Sequence, residues 1–319
     1  MALRWSIRMR KYLSKEKTHN KWDKDLAPLL TVDPGDVVEI ETKEGSDGEI
    51  TPQSSDDTVE KGDVNKVHPL TGPIYIRGAR PGDSLVVEIL DVKPDLWGWS
   101  YIFPGRGYLK DIFKDAHLVL WKINKEEGYA YSDRLPDIRV PLSPFCGVMG
   151  VALPEPGSHS TKPPSDHGGN MDIEYLAAGS TLYLPVFVDG ALFSVGDVHA
   201  AQGDGEVCLT AIETSATVTL KFDLRRNRSI PSPRFENQDY CGVVAYGRTL
   251  DEAMRKALRY AIDLLVEQTS LAPENAYVLC SVAARFKICE VVNEPHVVIS
   301  GLIPKKLFSK KTGRPCLGP

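Results

Sequence analysis

Short runs of alternating apolar and polar residues dominate the chain, and turn signals set most of them off. Val37-Val-Glu-Ile-Glu-Thr42 follows the turn Asp33-Pro-Gly-Asp36, and Leu85-Val-Val-Glu-Ile-Leu90 follows Arg80-Pro-Gly-Asp83. A period of two after a Pro-Gly turn predicts a strand with one buried face. The two segments echo each other, over too short a length to define a repeat architecture. Ile74–Ile76, Cys146–Leu153, Ala216–Phe222, Tyr240–Tyr246, Phe286–Val292 and His296–Ile303 read as further strands. Leu182–Val188 and Ala191–Val195 flank Asp189-Gly190, a hairpin signal, and Glu206–Glu213 is expected to fold back beside the second of them. Only the C-terminal third carries a helical period. Thr249-Leu-Asp-Glu252 has the form of a capping box. Behind it Ala253, Met254, Ala257, Leu258, Ala261, Ile262 and Leu265 fall on one face, predicting a helix to about Gln268. Pro273 opens a second helix through about Val282. The pattern predicts a mainly β protein with its helices near the C-terminus.

A chain of 319 residues can bury a large core, as one elaborate domain or two intimate ones. We divide it into an arm (1–18), a β-rich part (19–160), a β-rich and α+β part packed intimately on it (161–308), and a tail (309–319). The basic segment Met1–Lys17 lacks the apolar centre of a secretory signal and reads as an exposed or subunit-contacting arm. The basic, Gly/Pro-rich Lys305–Pro319 reads as loosely held. A net charge of −5 gives no footprint for nucleic acid, and no apolar run reaches the length of a membrane span. Six cysteines without C-x-x-C spacing fit reduced thiols and a cytoplasmic setting, with Cys208 as a small core residue. Glu44–Gly62 reads as a long surface loop, and the aromatic stretch from Trp97 as cover for a β-rich core or as a pocket wall.

The chemistry concentrates between His167 and Glu206. His167-Gly-Gly-Asn-Met-Asp172 pairs glycines with polar groups, which suits close approach to a small ligand. An apolar run then enters Gly196-Asp197-Val198-His199, where a strand period points Asp197 and His199 the same way. The break Gln202-Gly203-Asp204-Gly205 and Glu206 follow. Two costly polar groups at the edge of a core demand an explanation. Signatures of nucleotide loops, zinc proteases and serine nucleophiles are absent. The remaining set of imidazoles, carboxylates and carboxamides suits a divalent ion, zinc or calcium. Such an ion activates water, and a neighbouring acid, Glu206 or Asp204, carries the proton that an amine leaving group needs.

These residues carry a resemblance. Gly168–Asp172, Leu182-Tyr-Leu-Pro-Val186 and Gly190–Glu206 resemble the acetamidase/formamidase family, supported by His19–Asp23, Thr31–Asp36, His68–Pro73 and Ala79–Asp83. The resemblance runs from about residue 19 to about 308. It implies hydrolysis of formamide, acetamide or a similar short amide, a jelly-roll-like β-sandwich with additional β and α+β parts, and a homodimer or higher homo-oligomer. Carried onto this chain, the matching polar positions are His68, Asn170, Asp172, Asp197, His199, Gln202, Asp204 and Glu206. We expect His68, Asp172, Asp197 and His199 at the metal, Glu206 (with Asp204) in proton transfer, and Asn170 and Gln202 on the substrate amide. One departure stands out: Arg285 occupies a position that is often acidic in the family, and Glu290 one where Gln is frequent. A reversed charge beside a pocket would favour an anionic ligand; a surface or subunit-contact change is the equal alternative. Another C–N substrate, or a binding role without catalysis, are the alternatives.

Overall fold

The computed structural model describes residues 10–63 and 65–308. Its architecture is two large β-sheets packed face to face. The nine-stranded sheet runs Lys11–Leu13, Val37–Thr42, Ala216–Arg225, Ser84–Pro94, Thr181–Pro185, Arg234–Glu236, Tyr240–Gly247, Val297–Pro304, Arg285–Glu290. The eleven-stranded sheet is built around Phe193–His199, which pairs with Phe145–Gly150, Leu70–Ile76 and Glu213–Thr214. The alternation of Val37–Thr42 is realised: Val38 and Ile40 are fully buried, while Val37, Glu39 and Glu41 are half-buried. The inner faces meet in one core, where Val38, Leu85, Leu184 and Leu220 of one sheet join Ile74, Met149 and Val195 of the other. Phe193 and Phe222 touch edge to face across the interface, with ring centroids 5.2 Å apart. The β-sandwich is therefore confirmed.

Each Pro-Gly-Asp turn is closed by its own aspartate. Asp36 Oδ2 accepts the Asp33 N–H at 2.8 Å, and Asp83 Oδ2 accepts the Arg80 N–H at 3.1 Å. Thr249 Oγ1 accepts the Glu252 N–H at 3.2 Å and opens the Leu250–Thr269 helix. That helix lays Ala253, Ala257, Ala261 and Leu265 on the Tyr240–Gly247 and Val297–Pro304 strands, and Pro273–Ala283 packs beside it. The 84–94 strand pairs with both 181–185 and 216–225, so the 19–160 and 161–308 parts share a sheet.

Several expectations are corrected. Asp189-Gly190 is a turn, but no hairpin: Thr181–Pro185 lies in the nine-stranded sheet and Phe193–His199 in the other. Ala191 and Leu192 both take left-handed backbone, which swings the chain across the sandwich. Glu206–Glu213 forms no strand, because Gly205, Glu206 and Leu209 all have positive φ, and only Glu213–Thr214 pairs with the Phe193–His199 strand. Cys208 is exposed. Cys146, Cys208, Cys280 and Cys289 are free thiols, whereas Cys241 is disulfide-bonded. The Glu44–Gly62 loop holds a short helix, Asp56–Glu60, and buries Glu44, Ser46, Ile50 and Val59. Within the 1–18 arm, Lys11–Leu13 is a strand parallel to Val37–Thr42, while residues 1–9 and the tail 309–319 lie outside the described residues. No helix among the described residues is long and apolar enough to cross a membrane.

Candidate active site

The end of the Phe193–His199 strand delivers the centre of the site. Gly147 and Asp197 drop out of the ladder with Phe145–Gly150, and Asp197 takes a left-handed φ of 54°. Asp197 and His199 still converge, as the alternation predicts, with Nε2 3.5 Å from Asp197 Oδ2. Around His199 Nε2 stand Glu213 Oε1 at 3.3 Å and Glu206 Oε1 at 3.9 Å. His68 arrives from the 44–70 segment, its main-chain N–H donating to the Gly45 carbonyl, and places Nε2 3.9 Å from Asp197 Oδ2. Asp172 follows from Gly168–Asn170, with Oδ2 accepting from Asn293 Nδ2 at 2.6 Å. The backbone is cut to fit: a Cβ on Gly147 would lie 2.5 Å from Asp172 Oδ1 and 2.7 Å from His199 Cε1.

The predicted residues divide by position. His68, Asn170, Asp197 and Glu206 line one cavity of about 90 Å³ together with Gly45, Glu213, Trp99 and Tyr101. Asn170 Nδ2 donates to the Lys162 carbonyl, leaving its buried Oδ1 without a partner. Gln202 is not among the residues that line this cavity. Its Nε2 donates to the carbonyls of Asp172 (2.9 Å) and Cys289 (3.0 Å), so its Oε1 must face His199 Nδ1 at 2.8 Å as acceptor. That fixes a proton on Nδ1 and directs Nε2 at the carboxylates. Asp204 is exposed and salt-bridged to Lys287 at 2.6 Å, a turn carboxylate outside the cluster. Arg285 is exposed and lines a surface depression with Tyr240 and Lys305, away from this cavity. Glu290, by contrast, is fully buried and accepts the Val292 and Asn293 N–H groups at 2.8 Å each, holding the loop that presents Asn293 to Asp172.

Sequence reasoning missed Glu213 and Asn293, whereas the aromatic stretch holding Trp99 and Tyr101, read as core cover or pocket wall, supplies a wall of the cavity. Trp99 and Tyr101 are stacked at 4.9 Å, and the Trp99 indole N–H donates to buried Glu44 Oε2 at 2.7 Å. An acid ending the Ala211–Ile212 apolar pair was the available signal for Glu213. Asn293 had none, because it reaches the site from a loop over a hundred positions from Asp172.

So many buried acids shift one another. Burial, then Asp197, pushes the Glu213 carboxyl up to about 8. Burial likewise raises Asp172 to about 7, and burial with Asp172 raises Glu206 well above its ordinary range. Asp197 goes the other way: burial opposes ionisation, but the imidazoles of His68 and His199 overcome it and hold the carboxylate charged. His199 is raised well above the usual imidazole range; burial opposes this, and Glu213 and Asp197 outweigh it.

This donor set fits a divalent cation. Asp172, Asp197 and His199 bring ligand atoms within 4.8 Å of one another, as do His199, Glu206 and Glu213. His199 Nε2, Asp172 Oδ1 and Glu213 Oε2 are buried without hydrogen-bond partners. Unpartnered polar atoms around one point are costly for a protein that holds nothing there.

The fold and site define a β-sandwich protein with a buried imidazole–carboxylate centre at the end of a strand. The acetamidase/formamidase family model matches residues 7–156 and 155–310, and the chain belongs to that family. It is 29% identical to a formamidase of Methylophilus methylotrophus, over 91% of this chain and 89% of that protein. It is 32% identical to an acetamidase of Mycolicibacterium smegmatis over 65% of each chain. An acetamidase crystal structure from Bacillus halodurans superposes with a TM-score of 0.87 at 35% identity, covering 95% of this chain and 99% of that one.

Proposed function

We propose that this protein hydrolyses a short amide to ammonia and a carboxylate, RCONH2 + H2O → RCOO⁻ + NH4⁺, with a divalent ion held by His199, Asp197 and Asp172 and flanked by His68 and Glu213. The observation that carries this is the cavity itself: about 90 Å³, floored by the cluster, with the unpartnered Asn170 Oδ1 facing a buried space. A bound ion supplies positive charge that lowers the pKa of a water and polarises a carbonyl. The mixed imidazole and carboxylate donors suit zinc better than calcium, which takes oxygen ligands.

The chain's own residues do the rest. Asn170 Oδ1 accepts a substrate N–H, which an ester or acid in the same place lacks. Trp99 and Tyr101 wall the cavity and limit its water. Glu206 takes a proton from the attacking water as its oxygen bonds to the carbonyl carbon. It then gives that proton to nitrogen as the C–N bond breaks. A carboxyl buried beside the cluster is placed for both halves of that exchange. A volume of this size favours a short linear amide over bulky or cyclic ones.

Ammonia release from formamide and acetamide is the test, with the protein as purified, after chelation, and after adding back zinc or calcium. Activity lost on chelation and restored by one ion supports the reading. Asp197→Ala and His199→Ala should each abolish activity and ion binding together. Full activity and retained metal in both variants would sink the assignment of ligands, and chelation-insensitive turnover would remove the ion from the mechanism. The pairing of subunits and a cytoplasmic setting remain part of the same proposal, checked by sedimentation and by fractionation.

A further inference from the structure

The cavity changes sign from floor to rim. Its floor is acidic, with buried Asp197, Glu206 and Glu213, while the more exposed part of its lining carries two cations, Arg106 and Lys162, and one acid, Glu294. Neither is committed to a strong ion pair among the described residues. Arg106 reaches only Glu294 Oε2 at 3.6 Å, and that carboxylate already receives Lys110 at 2.6 Å. Among the described residues the Lys162 ammonium has no carboxylate partner of its own. It is part-buried, and desolvation, Arg106 and Lys21 all act against its charge, with only Asp63 opposing them. A part-desolvated cation beside like charges is a poor arrangement for a solvated surface and a good one for capturing an anion. The placement is also tied to the amide site, because the Lys162 carbonyl accepts from Asn170 Nδ2 at 3.1 Å. One residue thus sets the spacing between the group that reads a carboxamide and the ammonium at the mouth. A neutral formamide or acetamide makes no use of either charge.

We propose that the preferred substrate is a short amide whose far end carries a carboxylate, an ω-amido acid such as malonamate or succinamate. Its carboxamide sits on Asn170 above the acidic floor and its carboxylate lies between Lys162 and Arg106. This rests on the amidase reading and narrows its substrate class. The reaction is unchanged: water adds to the amide carbonyl, the C–N bond breaks, ammonia leaves, and the product is a dicarboxylate.

The experiment compares kcat/KM for matched pairs, malonamate against propionamide and succinamate against butyramide, in the metal-loaded enzyme. The anionic member should be preferred by about fivefold or more, the effect of one well-placed exposed ion pair. Raising salt to about 1 M, where the screening length is about 3 Å, should erase most of that preference. The ratio within each pair should fall below one in Lys162→Glu and persist in Lys162→Arg, which shows that a correctly folded site responds to charge. Malonate should compete at lower concentration than acetate, a readout that does not depend on turnover of either amide. Ammonia release from the neutral amides without preference for the anionic ones overturns this proposal and leaves the amidase reading standing. So does a ratio unchanged in Lys162→Glu. No release from any member of the panel overturns both.

Discussion

Replacing Gln202 tests whether the tautomer of His199 is set by its neighbour. In the wild type the carboxamide makes three hydrogen bonds, accepting from His199 Nδ1 and donating to the carbonyls of Asp172 and Cys289. Gln202→Leu removes all three. The Cys289 carbonyl keeps a second donor, the Gly205 N–H at 3.2 Å, so two groups are left wanting: the Nδ1–H of fully buried His199 and the Asp172 carbonyl. An unsatisfied buried group costs about 1–3 kcal/mol. Gln202 is itself only half-buried, which places the sum near the low end, about 2–3 kcal/mol. Tm should then fall by roughly 3–5 °C. Metal affinity should fall by about 10- to 100-fold, as it does when the partner of a ligating histidine is removed. Gln202→Glu separates the two effects. Its carboxylate still accepts from Nδ1 but faces two carbonyl oxygens it cannot donate to, so stability should drop while affinity holds. Calorimetry on chelated protein and titration with zinc read both quantities. Wild-type affinity in Gln202→Leu, or equal loss of affinity in both variants, refutes the claim that this bond aims the imidazole.

Two further substitutions probe the packing and charge beneath the site. Gly147→Ala places a methyl within 3.0 Å of Asp172 Oδ1, His199 Cε1 and the Asp197 carbonyl. It should cost about 1–3 kcal/mol of stability and about 100-fold in kcat/KM through displacement of the cluster; Gly203→Ala, which meets nothing within 4 Å, is the control, and near-wild-type kinetics for Gly147→Ala would mean that the cluster tolerates movement. Glu290→Gln should stabilise the metal-free protein at pH 8. Burial and then Asp172 raise the Glu290 carboxyl to about 8. The folded state therefore binds the proton more tightly than the unfolded chain, and stability falls as pH rises from about 4.5 through about 8. The glutamine oxygen can keep both N–H donors, so the variant should gain about 1–3 kcal/mol at pH 8 and lose that part of the slope. Urea unfolding at pH 5 and pH 8 decides it, and an unchanged difference between the two pH values would place the titration elsewhere.

What was legible in the sequence was local. The Pro-Gly-Asp turns announce their strands because the aspartate that ends each motif also closes it. The Thr249 cap and the spacing of Ala253, Ala257 and Ala261 announce a helix whose small residues lie flat on a sheet. Asp197 and His199 could be paired from alternation alone. The misread pieces are those where the chain changes partner. Asp189-Gly190 has the composition of a hairpin turn, yet Ala191 and Leu192 behind it carry the chain to the opposite sheet, and no local period records that. Gln202 and Asn170 look alike in sequence, two carboxamides near glycines. One faces the cavity and the other ties two carbonyls to an imidazole, a difference made by the Arg285–Glu290 strand lying against the 201–206 loop. The residues missed outright reach the site from segments whose only shared property is where the two sheets bring them.

The backbone at the site supplies an argument independent of side-chain chemistry. His68, Asp172, Asp197 and Glu206 have φ of 59°, 49°, 54° and 47°. Left-handed backbone is uncommon outside glycine, and a residue held in a sparsely populated region costs on the order of 1 kcal/mol. Of the seven other non-glycine residues with positive φ among the described residues, four have ordinary local reasons: Asn227 sits in a turn, Ser270 caps a helix, and Ala191 and Leu192 form the crossing between sheets. The four site residues have no such common cause in the chain. They belong to separate segments, and their side chains meet around one point; His68, Asp172 and Asp197 are of types that tolerate this conformation, and Glu206 is not. Regular strands point side chains to two faces and cannot aim four polar groups from different segments at one centre. Departing from strand geometry at each contributing residue can. Strain repeated at four places that converge is difficult to attribute to folding alone, and it favours a site whose geometry is held for a ligand over one that merely satisfies buried charges.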